Sequence, residues 1–239
     1  MKPFLFLVAR PGGVVADSEL ADLRNFGGLG DDDLVSIRLE QPVPVPDLED
    51  FCAVIISGSP YNLMSAPEAK PPAQVKTEEV LARVCDEILE KDFPTLGLCY
   101  GLQMLTLRAG GSLTRDYPER ISAPYIELTD EGKSDPLLEG MPAIFQAYSG
   151  HGESVGQVPE GARILASSDL VPVQMMRIGQ HVYGTQFHPE VSREGIQIRI
   201  DAYGGAYFAT DQREQVLDEC LSAYTDNTII SRFIDTYRS

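Results

Sequence analysis

An α/β domain built on a mostly parallel central sheet is the fold class this sequence predicts. Three observations carry the prediction. Apolar runs of strand length alternate with stretches of helical periodicity through the first half of the chain, the signature of strands separated by helices. One such run, Thr95 to Leu98, breaks at the step Gly97-Leu-Cys-Tyr-Gly101 and resumes as Leu-Gln-Met-Leu-Thr-Leu, the pattern of a buried strand turning sharply into a helix. Beyond Gly110-Gly111 the runs become shorter and more extended, and they lead to a strand-like segment that ends at Pro189.

Each element has a local reason. Phe4 to Val8 is continuously apolar and reads as a buried first strand, followed by a helix over Asp17 to Asn25 that stops at Gly27-Gly28. Leu34 to Leu39 is the second strand, and the proline-rich connection Gln41 to Pro46 leads to a third at Ala53 to Ile56. A loop from Ser57 to Pro72 precedes a helix over Gln74 to Lys91, where Val75, Val80, Leu81, Val84, Ile88 and Leu89 recur at helical spacing. The elbow strand and its helix, closed by Gly110-Gly111, come next. Extended runs are expected around Pro124 to Leu128, Phe145 to Tyr148, Arg163 to Ser167, Pro172 to Ile178 and His181 to Phe187. Terminal helices are expected over Gln212 to Tyr224 and Thr228 to Tyr237. No repeat or low-complexity tract interrupts the chain, so one domain spanning residues 1–239 is the economical organisation.

Composition bounds the setting. With 36 acidic against 19 basic residues the formal charge is −17, a balance that repels nucleic acid and anionic membranes and offers no basic stripe to compensate. The segment from Met1 to Ala9 is too short for a secretory leader, and no run approaches transmembrane length, so a cytoplasmic protein is expected. Cys52, Cys85, Cys99 and Cys220 lack the paired spacing of a zinc site, no metal is expected, and Cys52 and Cys85 read as small core fillers. No phosphate-binding glycine loop is present, and no cofactor is implied.

The chemistry gathers at two places. A cysteine at a strand-to-helix corner meets the positive end of the helix dipole, which lowers a thiol pKa, and the flanking Gly97 and Gly101 permit a tight nucleophile elbow. Of three histidines, His188 lies at a strand end, where it can reach a nucleophile displayed at the same edge of a parallel sheet. Glu190, two residues on, shares its face in extended backbone and can orient the ring, while Pro189 restricts the pair. Cys99, His188 and Glu190 thus form a nucleophile, base and orienter set for covalent acyl transfer. His181 is assigned no chemistry.

These segments, Gly97-Leu-Cys-Tyr-Gly-Leu-Gln103 and Gly184-Thr-Gln-Phe-His-Pro-Glu-Val191, resemble the two signatures of class I glutamine amidotransferases. Val54-Ile-Ile-Ser-Gly-Ser-Pro60 resembles the segment that carries half of that family's oxyanion hole, and Tyr148-Ser-Gly-His-Gly-Glu-Ser154 a substrate-lining stretch of the glutaminase part of GMP synthase. The resemblance covers roughly residues 1–200 and implies a flavodoxin-like three-layer sandwich. It implies that Cys99 attacks the glutamine side-chain amide to give a γ-glutamyl thioester, with oxyanion donors at the N–H groups of Ser59 and Tyr100. Gly58, Gln103, Gly150, His151 and Gly152 would line the substrate. Glu153 stands where the GMP-synthase pattern has aspartate, so that residue's substrate contact does not carry over.

The resemblance also implies a partner. Family members that make GMP carry or bind an ATP-dependent synthetase domain, marked by a glycine-rich pyrophosphatase loop, and no such loop occurs in this sequence. The first expectation is therefore a glutaminase that supplies ammonia to a synthetase partner. A γ-glutamyl hydrolase or peptidase using the same thioester is the second, and a catalytically silent binding or regulatory module the third. The complete triad argues against the last.

Overall fold

The computed structural model describes residues 2–42, 44 and 46–238, so Val43 and Val45 of the proline-rich connection lie outside the described residues. The first half of the chain runs β1 (Phe4–Val8), α1 (Val14–Gly27), β2 (Leu34–Arg38), β3 (Val54–Ile56), α2 (Pro72–Lys91), β4 (Thr95–Leu98) and α3 (Tyr100–Arg108). Short strands follow: β5 (Ser112–Thr114), β6 (Glu119–Ser122) and β7 (Tyr125–Leu128), then a one-turn helix, α4 (Asp130–Lys133). Next come β8 (Ile144–Gln146), β9 (Ser149–His151), β10 (Ser154–Gln157), β11 (Arg163–Ser167), β12 (Met175–Ile178) and β13 (Val182–Thr185). Three helices finish the described chain, α5 (Arg193–Tyr207), α6 (Arg213–Ser222) and α7 (Thr228–Tyr237).

Nine strands form one sheet in the order β2-β1-β3-β4-β13-β12-β11-β7-β8. The first five are mutually parallel and the remaining four add on antiparallel. Strand β13 lies beside β4 with Thr185 opposite Leu98, so residues following both strands emerge at one carboxyl edge. Open α/β sheets bind ligands at that edge.

Alternation along β1 builds both faces. Phe4, Phe6 and Val8 pack with Ala16 and Leu23 of α1 and Ile230, Phe233 and Ile234 of α7. Leu5, Leu7 and Ala9 pack on the opposite face with Leu81, Val84, Cys85 and Ile88 of α2 and Tyr100, Met104 and Leu105 of α3. Every residue of β1 is buried, which explains its unbroken apolar run. A separate cluster, Ile121, Tyr148, Val191, Ile196, Ile200, Val216 and Cys220, seats α5 and α6 against the carboxyl edge.

The structure adds β5, β6, β10 and α4, short elements absent from the sequence expectations, and departs from them further in three places. Helix α5 has no counterpart among them, because Gly195, Gly204 and Gly205 dilute its periodicity; Ile196 and Ile200 nonetheless share one buried face, and the Ser192 hydroxyl caps its start by accepting the Gly195 N–H. The expected run Phe145 to Tyr148 is cut short: β8 ends at Gln146, Tyr148 forms an isolated bridge with His188, and β9 starts at Ser149 in a different sheet. Helix α1 begins at Val14, before Asp17, and α2 at Pro72, since proline suits a first helical turn.

Two glycines set the spacing of the elbow. A Cβ at Gly97 would lie 2.7 Å from the Gly101 carbonyl carbon and 2.8 Å from the Leu102 nitrogen; one at Gly101 would lie 2.9 Å from Ile56. Both are needed for close strand–helix approach, and neither has a positive φ. Gly97→Ala should therefore lower stability by about 1–3 kcal/mol, since rigid backbone must shift. Gly205→Ala on α5, where a Cβ meets nothing within 4 Å, should leave stability unchanged or raised. Urea unfolding of both variants checks this.

Candidate active site

Cys99 is the residue between β4 and α3, with φ 49° and ψ −93°. A left-handed φ in a residue with a Cβ costs on the order of 1–3 kcal/mol and persists only where its surroundings enforce it. The enforcement is visible. The Cys99 N–H donates to the Thr185 carbonyl at the end of β13 (2.6 Å), and the Cys99 carbonyl accepts from the Gln103 N–H in the first turn of α3 (3.0 Å). The side chain is thereby raised from the sheet edge into a cavity that it shares with His188.

Ring and carboxylate are held with similar firmness. The His188 N–H donates to the Tyr148 carbonyl (2.7 Å). The Asn227 amide on the approach to α7 donates to the carbonyls of Pro189 (2.6 Å) and Val191 (3.1 Å), bracketing Glu190. His188 Nδ1 lies 2.8 Å from Glu190 Oε1, but the segment is a turn and not the extended strand the spacing suggested. The Val191 N–H donates back to the His188 carbonyl (3.3 Å), and the turn brings the two side chains together. The imidazole fits because residue 58 is glycine: a Cβ there would lie 2.7 Å from His188 Cε1. Gln186 Nε2 donates to Cys99 Sγ at 3.4 Å, and among the described residues no hydrogen bond joins Sγ to the His188 ring.

A chain of buried charges lies behind the pair, and the sequence reading missed it. Arg199 of α5 donates through Nη2 to Glu190 Oε1 (2.8 Å) and to Glu19 Oε1 of α1 (3.1 Å), and its Nη1 stands 3.1 Å from His188 Nδ1. Arg10, after β1, grips Glu19 through Nε (2.9 Å) and Nη2 (3.1 Å). Arginine can only donate, so Nδ1 cannot both accept from Arg199 and donate to Glu190. The 2.8 Å approach to a carboxylate oxygen requires Nδ1–H, which leaves Nε2 with its lone pair free to act as a base. The available signal in sequence was Arg199 sharing a helix face with Ile196 and Ile200.

Burial sets the protonation states. It pushes the Cys99 thiol up to about 12; Arg199, Arg10 and the Tyr100 N–H pull against it, and Glu190 adds to it. The lowering expected from the helix dipole is thus outweighed by desolvation. Burial also brings His188 down to about 4; Glu190 opposes this and Arg199 assists it. For Glu190, burial alone would favour the neutral acid, but His188 and Arg199 override it and hold the carboxyl down at about 2.

Two lobes adjoin Cys99; of the sequence-predicted residues Ser59, Gln103, Gly150, His151 and Gly152 line them, and Gly58 and Tyr100 do not. One, of about 280 Å³ including space open to solvent, is lined by Ser59, Gln103, Gly150, His151, Gly152 and Glu153. The other, of about 480 Å³, lies on the His188 side among Ile121, Tyr148, Arg199, Tyr203 and Tyr207. The Gln103 amide donates to the Glu153 carbonyl (2.6 Å), while the Glu153 carboxylate accepts from the Met64 N–H (3.2 Å) and Arg115 (3.1 Å), bracing the loop after β3. His151 is buried, with Nε2 3.0 Å from Glu119 Oε2 and Nδ1 3.3 Å from the Ser154 hydroxyl. The Tyr100 N–H opens α3, and the Ser59 N–H has no acceptor among the described residues. His181 lies outside both lobes, at the opposite end of β13, with Nδ1 3.0 Å from the Tyr237 hydroxyl. Among the described residues no cluster of three His, Cys, Asp or Glu is placed to hold a metal ion, and no helix is long and apolar enough to cross a membrane.

The His188 depression has a measurable consequence. Its ordinary pKa is 6.5 and its folded value about 4, so between them the unfolded chain binds a proton that the folded chain refuses. The stability tied to this ring is complete above pH 6.5 and is lost as pH falls toward 4, by on the order of 3 kcal/mol. Urea unfolding from pH 7 to pH 4 should show that loss, and His188→Asn should flatten it. Equal slopes would contradict the buried neutral ring.

Comparison with known proteins bears on family and fold. The sequence profile of "Glutamine amidotransferase class-I" matches residues 34–204, which include both signature segments. The glutamine-hydrolysing GMP synthase subunit of Sulfurisphaera tokodaii is 30% identical over 167 residues, covering 69% of this chain and 80% of that one. The glutamine-hydrolysing GMP synthase of Thermosipho africanus is 33% identical over 149 residues, 62% of this chain; the match spans only 26% of that longer protein. A glutamine amidotransferase structure from Thermotoga maritima superposes with a TM-score of 0.73 at 20% identity, covering 98% of this chain and 99% of the other. One from Methylobacillus flagellatus gives 0.75 at 15% identity, covering 100% and 94%. Those two show the shared fold, and the profile match over most of the chain places this protein in the class I glutamine amidotransferase family.

Proposed function

We propose that this protein hydrolyses the side-chain amide of glutamine through a γ-glutamyl thioester, releasing glutamate and ammonia. The observation that carries the reading is the left-handed Cys99 at the start of α3, in one cavity with a His188 ring whose other nitrogen bonds Glu190. Because the thiol is protonated at rest, its proton passes to His188 Nε2 as sulfur bonds the amide carbon. The imidazolium then protonates the departing nitrogen, and water, deprotonated by the same ring, cleaves the thioester. The N–H groups of Ser59 and Tyr100 serve the oxyanion, where one donor is worth roughly 3–4 kcal/mol. Gln103, Gly150, His151 and Gly152 form the wall that receives the amino-acid end of the substrate, and Gly58 leaves room for the His188 ring.

The likeness to the glutamine-hydrolysing GMP synthase subunit of Sulfurisphaera tokodaii supports an ATP-dependent synthetase as the partner that consumes the ammonia, and four free thiols suit a reducing cytoplasm. A second reading, hydrolysis of γ-glutamyl peptides, uses the same thioester. Its support is a second lobe on the His188 side of Cys99, framed by Ile121, Tyr148, Tyr203 and Tyr207, where the peptide remainder would lie.

A glutamine analogue carrying an electrophile at the side-chain carbonyl position should label Cys99 and spare Cys52, Cys85 and Cys220, as peptide mapping would show. Cys99→Ala should reduce glutamine hydrolysis by at least about 10³-fold with the fold retained. Protection of Cys99 by γ-glutamyl peptides but not by glutamine would select the second reading. Uniform labelling of all four cysteines without protection would refute both.

A further inference from the structure

Four buried ionisable groups stand behind the triad in alternating sign, Arg10, Glu19, Arg199 and Glu190. Burial pushes the Glu19 carboxyl up, and the two guanidiniums that grip it on either side pull toward the ionised form. Removing such groups from water costs several kcal/mol per ion, and well-packed apolar residues would fill the same space with no penalty, so the chain is not explained by stability. Its members come from four parts of the fold, the end of β1, α1, α5 and the segment after β13, and Arg199 is the one that reaches both Glu190 Oε1 and His188 Nδ1. Glu190 Oε2 has no hydrogen-bond partner among the described residues, so both contacts of this carboxylate, one from the ring and one from Arg199, fall on a single oxygen. Any charge that Arg199 offsets on Glu190 is therefore withdrawn from His188 directly.

We propose that Arg199, held by Glu19 and Arg10, is a positioning residue that offsets the Glu190 carboxylate, so that the resting pair is a thiol beside a neutral imidazole. The Cys99 proton then moves to His188 Nε2 only as the sulfur–carbon bond forms, and leaves with the departing nitrogen. This rests on the reading of Cys99 as nucleophile and His188 as base. The other titratable groups facing the pair are Asp22 of α1, which accepts the Ser192 N–H (3.0 Å), and Tyr203 and Tyr207 of α5. Burial holds Asp22 and Tyr207 toward their neutral forms, and among the described residues Arg199 is the cation within hydrogen-bond distance of the ring. The depressed His188 and raised Cys99 values agree with such a resting state.

Alternating sign makes the test sharp. Profiles against pH would be measured for glutamine hydrolysis and, separately, for iodoacetamide alkylation of Cys99 followed by peptide mapping. In Arg199→Gln, adding a proton to the pair becomes easier and removing one harder, so both limbs should move up by about 1–2 pH units. Glu19→Gln strips Arg199 of its counter-charge and should move them down. Arg199→Lys keeps the charge without the planar fork and should keep the wild-type limbs at reduced kcat. Loss of packing alone would lower rates without moving limbs in opposite directions. Limbs that stay put in both neutral variants, or that move the same way, would overturn the proposal; should Arg199→Gln fail to fold, a downward shift in Glu19→Gln with unmoved Arg199→Lys limbs decides it. If wild type hydrolyses neither glutamine nor γ-glutamyl peptides, the reaction assignment fails, while the alkylation profiles still report on the charge chain.

Discussion

The geometry of this molecule depends on one backbone constraint, the left-handed turn at Cys99 between β4 and α3. It holds because the Cys99 N–H is tied to Thr185 on the neighbouring strand and because Gly97 and Gly101 let α3 settle onto the sheet without intervening Cβ atoms. From that turn follow the exposure of Sγ to the cavity, the placement of the Tyr100 N–H beside it, and the registration of β13, whose continuation delivers His188. A strained φ at a site of this kind is stabilised by its neighbours and serves presentation of a side chain.

Electrostatics at the site run against the simplest expectation. A thiol at a helix start is ordinarily acidified, yet here desolvation dominates and the thiol stays protonated. The dipole of a helix is a fraction of a unit charge, whereas full burial removes all hydration from a thiolate. The imidazole is subject to the same burial and stays neutral. Base and acid are therefore both in the uncharged form, which suits an attack in which proton transfer accompanies bond formation.

The walls of the site are built by polar bracing more than by apolar packing. Glu153 ties the loop after β3 to the segment carrying Gly150 and Gly152, and Glu119 collects Ser149, His151 and the Gln174 amide. The Tyr207 hydroxyl, donating to the Gly150 carbonyl at 3.2 Å, joins α5 to the same wall. Two lobes on either side of Cys99 result, one polar and narrow, the other larger and framed by tyrosine, isoleucine and arginine.

Sequence by itself determined what local spacing can express. The unbroken apolar run of β1 specified a strand buried on both faces, the glycine–cysteine–glycine step specified the elbow, and the two-residue separation kept Glu190 within reach of His188, because each depends only on the chain within a few residues. Only the tertiary structure decided the surroundings of that pair. Glu19 and Arg199 are 180 residues apart along the chain, and with Arg10 they meet through the packing of α1 and α5 on the sheet edge. The thiol's protonation, the larger lobe and the pairing of Glu119 with His151 likewise follow from burial and long-range contact. A sequence read in isolation carries the period of an element but not the dielectric or the distant charges into which it folds.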